Sequence, residues 1–150
     1  MSHSQLDTLT GLARDARDRA GKLLAEERQT QQQTEAQLQS LNRYRAEYAE
    51  RLQQAMHDGI DPATMYNYQQ FLASLDAALS RARQALVAQQ KRVQQSQQHW
   101  QQEQRKLSSY DTLTSRRSSE EQRRQARHEQ KTNDDFVTNR LARQSPDSAH

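Results

Sequence analysis

The sequence predicts an all-α protein: two long helices forming an antiparallel coiled-coil hairpin, the second helix longer than the first. Three observations carry this. Proline is confined to Pro62 and Pro146, which leaves long stretches on both sides of Pro62 without a proline. A 3-4 apolar spacing runs through most of the chain. Large apolar residues are too few for a globular core: Phe, Ile, Val and Leu together number 21 of 150, about 14%.

The first helix is predicted over 1–57. Its inward positions are Leu6, Leu9, Ala13, Ala16, Ala20, Leu23, Glu27, Thr30, Thr34, Leu38, Leu41, Arg45, Tyr48, Leu52 and Ala55. Two steps of four in succession, Thr30 to Thr34 to Leu38, predict a stutter that locally unwinds the supercoil. Gly11 and Gly21 weaken this helix by roughly 1 kcal/mol each relative to Ala.

The turn is predicted over 58–61. Gly59 suits a left-handed residue that closes one helix. Asp61 suits the cap of the next, with Pro62 in its first turn, where a missing N–H costs nothing.

The second helix is predicted over 62–131. From Met65 the spacing holds for seven repeats: Met65, Tyr68, Leu72, Leu75, Leu79, Ala82, Leu86, Gln89, Val93, Ser96, Trp100, Glu103, Leu107 and Tyr110. A fold-back about the turn pairs residues whose numbers add to about 119. It places Trp100 between Ala16 and Ala20, Leu72 by Tyr48, and Tyr110 by Leu9. Arms of about 55 residues predict a rod of roughly 80 Å at 1.5 Å per residue. From about residue 113 the second helix has no partner, and 132–150 reads as a weakly ordered tail. Within it, Phe136, Val137 and Leu141 form a small apolar group at helical spacing, a docking anchor or simply part of a loose terminus.

Composition narrows the function. The mean hydropathy is −1.28 and cysteine is absent, so disulfides play no part. No apolar run approaches the ~20 residues that span a bilayer, and Met1 to Thr10 lacks the apolar segment of a signal peptide. A soluble, cytoplasmic chain is expected. Residues 1–60 carry a net charge of −1 and residues 61–150 a net +4. The excess gathers at Arg116, Arg117, Arg123, Arg124, Arg127 and Lys131, interleaved with Glu120, Glu121 and Glu129. Those acids, and the lack of an aromatic platform, argue against nucleic acid as a partner. A basic nucleic-acid-binding coiled coil stays as an alternative. Gln-rich sequence over 84–104 reads as a neutral, wet outer face.

No chemistry-bearing constellation is visible, and no enzyme activity, cofactor or metal is expected. Gly21-Lys22-Leu23 lacks the hydroxyl residue and upstream glycine of a phosphate-binding loop. His3, His57, His99, His128 and His150 are too scattered for a metal site. A two-helix rod offers no concave pocket that excludes water. What it does offer is apolar surface beside the turn. Tyr44, Tyr66 and Phe71 lie off the seam, and Phe71, Leu75 and Ala78 form an apolar row on one edge. Such surface marks a partner site. A chaperone hairpin that grips unfolded clients would use the same edge and is a second alternative.

The run Asn67-Tyr68-Gln69-Gln70-Phe71, the preceding Tyr44-x-x-x-Tyr48, and Trp100 ahead of a Gln/Lys/Arg-rich segment resemble the FliJ family of flagellar type III export. The resemblance extends from Leu6-x-x-Leu9 to Asp134-Asp135-Phe136. It implies a cytoplasmic stalk in the ring of the export ATPase hexamer (FliI-like), promoting the ring's assembly and activity. It also implies a link to the export gate protein FlhA, hence a peripheral position at the membrane, and the escort of export chaperones. The gate-facing positions it implies are Gln37, Leu41, Tyr44, Tyr48, Phe71, Leu75 and Ala78. A further family position falls on Ala82, small here where the family has a longer polar residue. By analogy with rotary stalks, the ring-facing residues are Leu6, Leu9, Leu107, Tyr110, Arg116 and Arg117.

Overall fold

The computed structural model describes residues 2–144. Two helices make up the fold: α1, His3–Asp58, and α2, Pro62–Gln144, packed as an antiparallel coiled-coil hairpin with the second helix longer. Residues 145–150, the end of the expected tail, lie outside the described residues; 132–144 are helical.

The start of α1 is capped reciprocally. The Ser2 hydroxyl accepts from the Gln5 backbone N–H at 3.3 Å, and the Gln5 side-chain oxygen accepts from the Ser2 N–H at 3.2 Å. This capping box satisfies two donors that the first turn leaves without partners. At the turn, Gly59 adopts φ +89°, a conformation open to glycine at no steric cost. Asp61 then caps α2: its carboxylate accepts from the Thr64 hydroxyl, and its carbonyl accepts the first helical bond from Met65 N–H at 3.1 Å.

The chain divides into two compact units. Unit 1 comprises residues up to Arg14 together with those from Arg105 on; unit 2 comprises Asp15–Gln104. In unit 1, Leu6, Ala13 and Leu107 are buried, with Leu9, Tyr110, Thr114 and Arg117 half-buried. From Ser118 to Arg143 every residue of α2 is exposed, so pairing ends near Arg117.

In unit 2, Ala20, Leu24, Thr34, Leu75, Leu79 and Ser96 are buried. All fourteen inward positions expected on the second helix are buried or half-buried. On α1 the seam differs from expectation in its middle. Leu24 is buried at 7% exposure while Leu23 stands 45% exposed, and Gln31 takes the inward place expected of Thr30. The two successive steps of four therefore fall at Ala16–Ala20–Leu24, earlier than Thr30–Thr34–Leu38. The cause is Trp100. Its ring lies against Gly21, where an added Cβ would stand 3.2 Å from Nε1 and 3.3 Å from Cδ1. The indole uses the space that glycine leaves, so the side of α1 carrying Arg17, Gly21 and Leu24 faces α2. Cross-helix pairs fix the register: Arg17 with Gln104, Gly21 with Trp100 and Arg45 with Asp76 all add to 121, Tyr48 with Phe71 to 119.

Candidate partner-binding surfaces

Unit 2 gathers Tyr48, Tyr68 and Phe71 near the turn into one cluster, while Tyr44 and Tyr66 stand exposed. The Tyr48 and Phe71 rings stack with centroids 4.1 Å apart and planes 35° apart. The Tyr68 ring centroid lies 5.8 Å from that of Tyr48 with planes 56° apart, and the Arg51 guanidinium lies 5.5 Å from the Tyr48 centroid. The helical spacing that brings Tyr68 inward turns Phe71 onto the flank, half-covered by Tyr48 and still 42% exposed. An open groove of about 280 Å³ is lined by Tyr48, Thr64, Asn67, Tyr68 and Phe71.

Of the positions that the resemblance implies for gate binding, Gln37, Tyr44 and Phe71 are exposed, and Leu41, Tyr48, Ala78 and Ala82 are half-buried. Leu75, at 9% exposure, belongs to the hydrophobic seam. Tyr44, Phe71 and the half-buried Tyr48 thus have apolar area to give to a partner, whereas Leu75 does not.

Arg45 leaves the seam. Its Nε donates to Asp76 Oδ1 at 2.6 Å, and both side chains are about half exposed. This bond is the main cause that holds the Asp76 carboxyl below the usual carboxylate range, helped by the charges of Arg45 and Arg83 and opposed by partial desolvation. Likewise the Thr64 hydroxyl, with backbone N–H groups of α2's first turn, holds the Asp61 carboxyl low. Neither the Arg45–Asp76 pair nor the stacking of Arg51 on Tyr48 was expected from the sequence. A signal for the first existed: an arginine at an inward position with an acid across the register.

Unit 1 holds the other set of positions. Leu6 and Leu107 are 2% and 3% exposed, so both are spent on the seam. Leu9 and Tyr110 are half-buried, and Arg116 is exposed. Beside them, His3, Arg117, Glu121, Arg124 and Arg127 line an open groove of about 750 Å³. The exposed stretch of α2 carries Phe136, Val137 and Leu141 at 65%, 53% and 62% exposure.

Among the described residues no group of three or more His, Asp or Glu could hold a metal ion, and no helix is long and apolar enough to cross a membrane.

Comparison with known proteins gives one consistent result. The family model for the flagellar FliJ protein matches residues 1–146. The flagellar FliJ protein of Salmonella typhi is 38% identical over 91 residues, 61% of this chain and 62% of that one. The flagellar FliJ protein of Escherichia coli strain K12 is 40% identical over 84 residues, 56% of this chain and 57% of that one. The chain thus spans about three fifths of the length of the relatives it matches. With a match that runs nearly from end to end and a fold of two packed helices, the chain belongs to the FliJ family of flagellar proteins.

Proposed function

We propose that the protein is a non-enzymatic component of flagellar type III export, a stalk in the ring of the export ATPase that also contacts the gate protein FlhA and escorts export chaperones. The observation that carries this reading is the family match over 1–146. The side chains agree with it. Unit 1 supplies the ring-facing surface through Leu9, Tyr110, Arg116 and Arg117, with Leu6 and Leu107 holding the helices together beneath. A hexamer has equivalent interfaces, and a single helix pair of uneven charge in its pore removes that equivalence. One interface is then favoured for closure, which couples nucleotide turnover to the position of the stalk. Unit 2 supplies the gate-facing edge: Tyr44, Tyr48 and Phe71 offer aromatic area, Gln37, Leu41 and Ala78 add to it, and the buried Leu75 belongs to the seam. Each helix contributes residues to both units. The protein works in the cytoplasm, peripheral to the membrane at the gate.

The test is addition of the purified chain to the cognate ATPase. Hexamers should form at lower protein concentration and turnover should rise. An unchanged rate at saturating chain would refute the stalk role. Suppressed aggregation of an unfolded client with no effect on nucleotide turnover would point to the chaperone hairpin instead.

A further inference from the structure

The middle of unit 2 is built differently from what lies on either side. On one side Trp100 fits against Gly21, and Arg17 Nη1 donates to Gln104 Oε1 at 3.5 Å. On the other side Leu75 and Leu79 are buried, Tyr48 stacks on Phe71, and Arg45 pairs with Asp76. Between them the inward positions of α1 are Glu27, Gln31 and Thr34. No Leu, Ile, Val, Phe or Met occurs in α1 from Ala25 to Gln37. The register sets these polar residues across from Leu86, Gln89 and Val93.

The polar groups here do not tie the helices together. The Thr34 hydroxyl donates to the Thr30 carbonyl of its own helix at 3.2 Å, a back-bond that tends to bend a helix. The Gln31 amide donates to Glu35 Oε1 at 3.0 Å, again within α1. Across the seam, the buried Oε1 of Gln89 has no hydrogen-bond partner. A buried acceptor left unpaired favours opening to water. The α1 side of the layer therefore lacks the large apolar residues, and the layer lacks the cross-bonds, that hold its neighbours.

We propose that residues 27–34 and 86–93 form a compliant joint, a segment where the two helices part and twist more readily than the packed segments on either side. This role rests on the stalk reading: the joint lets orientation accumulate as twist and be released, where a uniformly apolar seam would resist it.

Hydrogen exchange of the full chain, read by mass spectrometry, tests the joint directly. Amides in 27–34 and 86–93 should exchange about tenfold or more faster than those in 17–24 and 72–79. The double variant Gln31→Leu with Gln89→Leu should bring the middle to the rate of its flanks and raise the thermal midpoint. Uniform exchange in the wild type, or fast exchange that persists in the variant, would overturn the proposal. In cells the stiffened variant should support slower swimming at normal abundance, while still stimulating the ATPase in solution. Full swimming speed would show that the compliance serves no function and would also overturn it. Failure of the wild type to stimulate the ATPase would sink the stalk reading alone, because the exchange pattern decides the joint without it.

Discussion

Gly11 and Gly21 lie in the same helix, and the same substitution should act oppositely at the two. Replacing a helical glycine by alanine removes backbone freedom from the unfolded chain and favours the helix by about 1 kcal/mol. At Gly11 nothing stands within 4 Å of the added methyl, so Gly11→Ala should realise the gain. That is a rise of about 2–4 °C in thermal midpoint for a chain of this size. At Gly21 the methyl would stand 3.2 Å from Trp100 Nε1 and 3.3 Å from Cδ1, tighter than ordinary van der Waals contact. The indole must shift by a few tenths of an ångström, and overpacking of this kind costs about 1–3 kcal/mol. The net effect of Gly21→Ala should run from about zero to a loss of about 2 kcal/mol, at least about 1 kcal/mol below Gly11→Ala. Urea unfolding read by far-UV circular dichroism gives the energies. The sole tryptophan gives a second readout: its emission should move in Gly21→Ala and stay fixed in Gly11→Ala. In a Trp100→Leu background the Gly21→Ala penalty should shrink, a coupling that a double-mutant cycle measures. Equal gains at both glycines with unchanged emission would refute the packing account.

Two further predictions separate surface from support. Phe71→Ala removes a half-exposed ring and its stack on Tyr48, costing only about 1 kcal/mol of stability, and should weaken binding to the purified cytoplasmic part of the gate protein. Leu75→Ala empties part of the seam and should cost about 2 kcal/mol or more. A loss of binding that follows helicity equally in both variants would count against the gate edge. As for pH, Asp61 and Asp76 titrate lower in the folded chain than in the unfolded one. The stability they contribute is fully present above the ordinary aspartate value near about 3.9 and is lost as pH falls through their lower folded values. Acid titration of helicity should show this loss, and Asp61→Asn with Asp76→Asn should flatten it. An unchanged acid limb in that double variant would show that neither carboxylate is linked to folding.

Much of this protein is written in one dimension. A heptad is a local property of a helix, so the inward face of α2 could be read from Met65 to Tyr110 without knowledge of α1. Gly59 and Asp61-Pro62 mark the bend because left-handed and capping conformations depend on a few adjacent residues. The aromatic edge was legible as well, since Tyr44 and Phe71 sit beside the apolar stripe by spacing alone. Tertiary structure decided whatever depended on the facing helix. Leu23 and Leu24 are equally good seam residues in sequence, and the choice between them was made by the Trp100 indole of the facing helix finding room at Gly21. Arg45 could have been a polar break in the seam; Asp76 across the register drew it to the surface instead. Leu75 and Phe71 share one apolar row, yet only the second keeps free area. The physical reason is common to all three: helical periodicity fixes which way a side chain points, while the volume and charge of its cross-helix neighbour fix whether it is covered.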